Sequence, residues 1–138
     1  MTSSTGFERD VRLPSDTAEA QRLQLRILAE LTAHGYSEKI CFGIKLALEE
    51  ALVNAIKHGN RMDRGKTVRV RYVVNEREFS IEIEDEGPGF DPGDVPDPTD
   101  PENLERPTGR GLLLMRSYMT ECDFIPPGNL CRMRRVRD

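Results

Sequence analysis

The chain has 138 residues, 37% of them apolar and 32% charged, with a formal charge of −4 and a pI near 5.3. That is the usual size of one globular domain, too apolar for wholesale disorder and too poor in clustered Lys and Arg for a general nucleic-acid surface. No apolar run approaches the roughly 20 residues of a membrane span, and the N-terminal MTSSTGFERD lacks a signal-peptide pattern, so a soluble, cytoplasmic protein without a membrane partner is expected. Cys41, Cys122 and Cys131 are odd in number and lie at no zinc-ligand spacing, and are expected as reduced, mostly buried thiols.

Residues about 7–13 (FERDVRL) alternate loosely and stop at Pro14, which predicts a first strand. From Asp16 to about His34 the residues Ala20, Leu23, Ile27, Leu28 and Leu31 recur at helical spacing, and Gly35 is the stop. His34, at that end, is positioned to cap the last carbonyls. Ser37 caps a longer second helix that runs to about His58, with Gly59-Asn60 as its C-terminal signal. Thr67 to Val74 and Glu78 to Asp85 are rich in alternating Val, Ile, Tyr and Phe, and the short Asn75-Glu76-Arg77 break makes them a hairpin.

DPGDVPDPTDPENLERPT follows Phe90, dense in proline and acid, and its length implies a functional lid or a mobile segment over about 91–108. A third helix is expected from Gly109 to about Glu121. Strands near Cys122–Ile125 and Leu130–Val136 then close the chain as a second hairpin around Pro126-Pro127-Gly128-Asn129. The basic residues Arg132, Arg134, Arg135 and Arg137 alternate with Met133 and Val136, as on the solvated side of a strand; a patch for an acidic partner is the alternative. Strands and helices are segregated, and there is no internal repeat, so the fold class is α+β, a layered sandwich in one domain over 1–138.

On the second helix each residue advances about 100°, so Glu50, Asn54 and His58 stand nearly above one another with Lys57 beside them. Gly43 and Ala47 project on the same side and leave room for something to pack close, such as a ligand. Glu49 points elsewhere and reads as a solvated charge. An Asn carbonyl is a hard oxygen donor suited to Mg²⁺, and a carboxylate one turn away can take a proton from an attacking hydroxyl or water. Taken alone, the stripe is equally described as an ordinary solvated helix surface.

Two glycine motifs follow. Asp85-Glu86-Gly87-Pro88-Gly89 leaves a strand end; it is either a plain Pro-Gly turn or a place where backbone meets a flat base while Asp85 accepts from an exocyclic amine. Gly109-Arg110-Gly111 opens the third helix, where free N–H groups and the helix dipole favour phosphate, although such a pair can also be a simple hinge.

In this order, Glu-x-x-x-Asn-Ala-x-x-His, Asp-x-Gly-x-Gly and Gly-x-Gly-Leu, the chain resembles the GHKL ATPase superfamily that includes gyrase, MutL and histidine kinases. Its length and element order are similar to those of stand-alone anti-sigma factor serine/threonine kinases of bacterial partner switching. The histidine kinases proper are disfavoured because His34 and His58 are the only histidines and there is no room for a phospho-acceptor module. The resemblance implies a two-layer α/β sandwich, its sheet mixed but mostly antiparallel with helices on one face, that binds ATP and Mg²⁺. Asn54 would ligate the metal, Glu50 would be the general base and Asp85 would contact adenine, with Gly87 and Gly89 shaping the base pocket. Gly109, Arg110, Gly111 and Leu112 would hold phosphates under the lid, and Lys57 and His58 would complete the nucleotide site.

The implied partners are a STAS-type anti-anti-sigma protein, which is phosphorylated, and a sigma factor, which is sequestered; a homodimer is usual among similar kinases. Two alternatives stay open: a nucleotide-dependent partner switch without useful kinase activity, and a self-contained ATP hydrolase.

Overall fold

A computed structural model describes residues 6–89 and 109–137. The elements run β1 (Phe7–Pro14), α1 (Thr17–Ala33), α2 (Glu38–Val53), a π-helical turn (Asn54–Gly59), β2 (Thr67–Val74), β3 (Glu78–Glu84), α3 (Gly109–Tyr118), β4 (Glu121–Ile125) and β5 (Leu130–Val136). The expected lid at about 91–108 lies outside the described residues.

The helix starts follow local chemistry. Asp16 accepts a hydrogen bond from the Ala18 N–H at the start of α1, and Ser37 accepts from the Ile40 N–H at the start of α2. At the end of α1 the His34 ring Nδ1 lies 2.8 Å from the Glu30 carbonyl, and Gly35 takes φ +85°, the left-handed conformation that ends many helices. Between β2 and β3 the Asn75 side chain accepts from the N–H groups of Arg77 and Glu78, each at 2.9 Å, and closes the hairpin. The third helix stops at Tyr118, three residues before the expected end. Thr120 is thereby released to accept, through its hydroxyl oxygen, a 2.8 Å bond from the Val136 N–H.

The five strands pair in the order β1-β2-β3-β5-β4. All four pairings are antiparallel, so the sheet implied as mixed is antiparallel throughout the described residues. In register, Val11, Val70, Ile83, Cys131 and Phe124 lie across from one another, and two residues along Tyr72 meets Ile81, which in turn meets Met133. These side chains share one face because strand residues alternate sides. Against that face pack Leu23, Ile27 and Leu31 of α1, Ile44, Leu48 and Leu52 of α2, and Met115 of α3, all buried. Among the described residues the sandwich thus has two layers, with helices on one face only.

The other face is wet and charged. Glu82 pairs with Arg71 and, at 3.3 Å, with Arg132; Arg134 bridges Glu78 at 2.8 Å and Glu121 at 2.7 Å; Arg69 meets Asp10 at 2.8 Å. These are exposed or half-exposed pairs, so they confer solubility and register more than stability.

Arg132 and Arg134 therefore match the solvated-strand expectation, but Arg137 does not. Its guanidinium donates to the carbonyls of His34 (2.9 Å), Gly35 and Glu76 (3.2 Å) and lies 4.8 Å from the centre of the Tyr36 ring. It pins the end of β5 to the end of α1, where carbonyls are left unpaired by the helix.

The room beside Gly43 and Ala47 is also taken by the protein itself. A methyl added at Gly43 would meet the Tyr118 ring at 2.7 Å, and Ala47 is fully buried in the core. The small residues admit α3 close to α2, not a ligand.

Candidate functional site: a pocket at the end of the second helix

The expected single helix to His58 changes pitch at Asn54. Over Asn54–Gly59 the backbone widens to a π turn, closed by the Asn60 N–H on the Ala55 carbonyl at 2.8 Å, five residues back. Such widened turns are rare and occur frequently at functional sites. Here Asn54 and His58 both face one pocket, whereas Lys57 is exposed and outside its wall.

Asn60, read from sequence only as a stop signal, is fully buried and holds the region together. Its amide nitrogen donates to the Ser15 hydroxyl and to the Thr67 carbonyl, both at 3.0 Å, and its carbonyl oxygen accepts from the Glu86 N–H at 2.7 Å. One side chain therefore ties the end of β1, the start of β2 and the loop after β3 to the end of the helix. Glu86 adds a second tie, its carboxylate accepting from the N–H and hydroxyl of Thr67; those bonds hold its pKa below the ordinary glutamate value.

Asp85 sits at the centre of this arrangement. Its N–H donates to the Asn129 carbonyl and its carbonyl accepts from the Asn129 side-chain amide, each at 2.9 Å, so β3 is locked to the β4–β5 turn. The Asp85 Oδ1 accepts from the Gly87 N–H at 2.7 Å, and Oδ2 has no donor among the described residues. Burial pushes this carboxyl up to about 6, opposed by the Gly87 hydrogen bond. A raised, half-buried carboxylate with one open lone-pair side is a typical mark of a ligand site.

The glycines make this geometry possible by close backbone approach. A methyl at Gly59 would overlap the Asp85 carboxyl, and one at Gly87 would overlap the Gly59 carbonyl. Gly89, at φ +81°, lies so close to the Pro127 carbonyl that no side chain fits. Of the two glycines expected to shape a base pocket, Gly89 lines this pocket and Gly87 packs behind it, against the helix end.

The pocket is a narrow cleft that opens to solvent at its mouth. Its slot is apolar, made by Ala51 of α2, Ala55 of the π turn, Ile83 of β3 and Phe124 and Cys131 of the second hairpin. Asn54, His58, Asp85 and Asn129 supply the polar edge. A flat, largely apolar ring with one or two polar positions fits such a site. Glu50 is half-buried one turn before Asn54 and does not form part of the pocket wall.

Gly111 and Leu112 are buried, Leu112 at 4% exposure within the core, so Leu112 can offer a ligand only its backbone. The backbone of Gly109 and Arg110 begins α3, and the Arg110 side chain lies outside the described residues. Asn60, Asn129, Phe124 and Cys131 were not read from sequence as site residues. Their roles depend on contacts 26 to 45 residues apart, such as Asn60 with Glu86 and with Ser15.

The sequence matches the histidine kinase-like ATPase domain family over residues 13–135. The chain belongs to that family. Among curated relatives, this histidine kinase-like ATPase domain is similar to an "Anti-sigma F factor" of Clostridium acetobutylicum, 35% identical over 80 residues, which cover 55% of this chain and 54% of the relative. It is similar to an "Anti-sigma F factor" of Clostridium perfringens strain SM101, 38% identical over 89 residues, 62% of this chain and 63% of the relative. It is also similar to the "Serine-protein kinase RsbW" of Bacillus licheniformis, 28% identical over 118 residues, 81% of this chain and 74% of the relative. The chain thus spans a little over half the length of the first two.

The pocket fits the family's ligand chemistry. The Asn54 side chain has no hydrogen-bond partner among the described residues and borders the pocket, so its amide oxygen is available. No three His, Cys, Asp or Glu side chains among the described residues converge to hold a metal. A divalent ion here would draw its other ligands from phosphate and water, which suits Mg²⁺. No described helix is long and apolar enough to cross a membrane.

Proposed function

We propose that this domain binds ATP with Mg²⁺ and transfers the γ-phosphoryl group to a serine or threonine of a STAS-type anti-anti-sigma protein. It holds a sigma factor inactive when that partner is unavailable, works as a homodimer in the cytoplasm, and the whole chain is one ATPase domain. The observation that carries the nucleotide reading is the Asp85 carboxylate, with its open Oδ2 at the edge of an apolar slot bordered by Asn54. The names of the similar proteins support the kinase and anti-sigma parts.

In this reading Asp85 accepts from the adenine amine while Ala51, Ala55 and Ile83 sandwich the base. Asn54 offers its amide oxygen to the metal, and the N–H groups at the start of α3, Gly109 to Leu112, receive phosphate oxygens with Arg110 as a nearby cation. Mg²⁺, when bound, neutralises charge on those oxygens. Glu50, one helical turn from Asn54, takes the proton from the attacking hydroxyl, and the acid-rich segment of about 91–108 closes over the nucleotide. His58 lines the pocket beside the base, and Lys57, on the exposed side of the turn, contributes a cation near its rim.

The test is transfer of labelled γ-phosphate to a cognate STAS protein. Wild type is expected to transfer, Glu50→Gln to lose most of the rate while still binding ATP, and Asn54→Ala to lose Mg²⁺-dependent binding. Unchanged transfer by Glu50→Gln would refute the assigned base. A second reading, a nucleotide-dependent binding switch, is favoured by one observation: Glu50 is absent from the pocket wall. Partner affinity that depends on nucleotide, without any transfer, would select it.

A further inference from the structure

We propose that Cys131, in the wall of the nucleotide pocket, and Cys122 behind it form a dithiol that a peroxide oxidises to a cystine, and that bound nucleotide shields it. The shielding rests on the nucleotide reading above; the dithiol does not.

Four observations carry the inference. Cys122 lies opposite Met133 and Cys131 opposite Phe124, so the two cysteines are diagonal neighbours on adjacent strands and point to the same, helix-covered face. Both are buried, at 6% and 5% exposure. Cys131 lines the pocket beside Asp85 and Gly89, which gives a small oxidant a path to it. Cys41, by contrast, is on α2 with its sulfur 3.9 Å from the Tyr36 carbonyl oxygen, away from both.

The thiols are also chemically unequal. The neighbouring Cys131 thiol and the Arg116 guanidinium hold Cys122 below the ordinary cysteine value, against the opposing effect of burial, while that pairing and burial raise Cys131. Cys122 is therefore the better nucleophile of the two.

The chemistry closes with peroxide as the only co-reactant. Cys131, the cysteine that lines the pocket, gives its proton to the Cys122 thiolate beside it, and its sulfur attacks hydrogen peroxide; the O–O bond breaks, and a sulfenic acid and one water form. The Cys122 thiolate then attacks that sulfur; the S–S bond forms, the S–O bond breaks, and hydroxide leaves as a second water with the proton from Cys122. Diagonal neighbours start slightly farther apart than bridged cysteines, so closure draws β4 along β5. β4 can follow, because among the described residues it is an edge strand paired on one side only.

The test uses the tryptic peptide 117–132, which contains both cysteines and no internal Lys or Arg. The full chain is treated with hydrogen peroxide, with and without ATP–Mg²⁺, then alkylated, digested and weighed, while calorimetry on the reduced protein measures nucleotide binding independently. The expected result is an unalkylated peptide lighter by two hydrogens, formed about tenfold more slowly at roughly ten times Kd of nucleotide, with Cys41 alkylation unchanged. In Cys122→Ser the expected product is a Cys131 sulfenic acid that dimedone labels.

Absence of the cystine in free protein overturns the proposal. So does formation at an equal rate with nucleotide demonstrably bound. If calorimetry detects no nucleotide binding, the proposed function falls, and the peroxide reaction alone decides whether the dithiol exists.

Discussion

Replacing Asp85 by Asn should make the domain more stable and unable to hold ATP. The carboxyl is pushed from 3.8 to about 6 by burial, which means the folded state disfavours its ionised form. A rise of that size corresponds to about 3 kcal/mol, and solvent reaching the pocket mouth reduces the usable figure to about 1–2 kcal/mol. Because the folded pKa is the higher one, the folded state binds the extra proton between the two values. Stability is fully present below about pH 4 and is lost as pH rises through about 6.

Asn keeps an acceptor for the Gly87 N–H and removes the charge, so Asp85→Asn should gain about 1–2 kcal/mol at about pH 8 and close to nothing at about pH 4. Urea unfolding of both proteins at the two pH values measures this directly, with calorimetry for ATP in parallel. The Asn amide presents a donor toward the adenine amine, and binding should drop at least about a hundredfold, the penalty of an unmatched buried polar pair. A variant that is less stable at pH 8, or a difference independent of pH, would refute the account of Asp85 as a strained acceptor. Unchanged ATP affinity would refute its contact with the base.

Other consequences follow from the same geometry. Asn60→Ala removes, at a fully buried side chain, the partners of the Thr67 carbonyl and the Glu86 N–H and one of the two bonds of the Ser15 hydroxyl, which still donates to the Lys66 carbonyl, and should cost about 2–3 kcal/mol in urea unfolding; under about 1 would be too little. Gly59→Ala forces the Asp85 carboxyl out of its position; ATP affinity should fall at least about tenfold while stability falls by only about 1 kcal/mol, a pairing that calorimetry and urea unfolding test together. Glu82→Gln breaks the exposed pairs with Arg71 and Arg132 and should change stability by less than about 1 kcal/mol, with little salt dependence remaining at that site. ATP affinity should decline as pH falls below about 6, as Asp85 takes up its proton; an affinity flat from about pH 7 to about pH 5 would contradict that assignment.

The elements were legible because their causes are local. Helical spacing in Ala20, Leu23, Ile27 and Leu31, a Ser cap at position 37 and an Asn at position 75 each act within a few residues. What was not legible depends on the strand order. Placing β5 between β3 and β4 is what brings Asn129 and Cys131 beside Asp85, and no pattern along the chain encodes that neighbour relation. The π turn is equally hidden, since Asn54–Gly59 has the composition of an ordinary helix end. Gly43 illustrates the converse: its small size was correctly taken to mean close approach, but the approaching group is Tyr118. Arg137 had the pattern of a solvated strand charge, yet three carbonyls more than 60 residues away claim it.

The strand order also bears on how the domain is made. A polypeptide leaves the ribosome N-terminus first, and domains commonly fold while later segments are still in the exit tunnel. Here β1, β2 and β3 can pair as soon as they emerge, but the inner edge of β3 stays bare until residues 130–136 follow. Until then the pocket lacks Phe124, Asn129 and Cys131, and Asp85 has no partner for its backbone. A stalled nascent chain ending before Leu130 would expose an unpaired strand and hold no nucleotide, so the ligand can rescue only a finished sheet and never a half-built one.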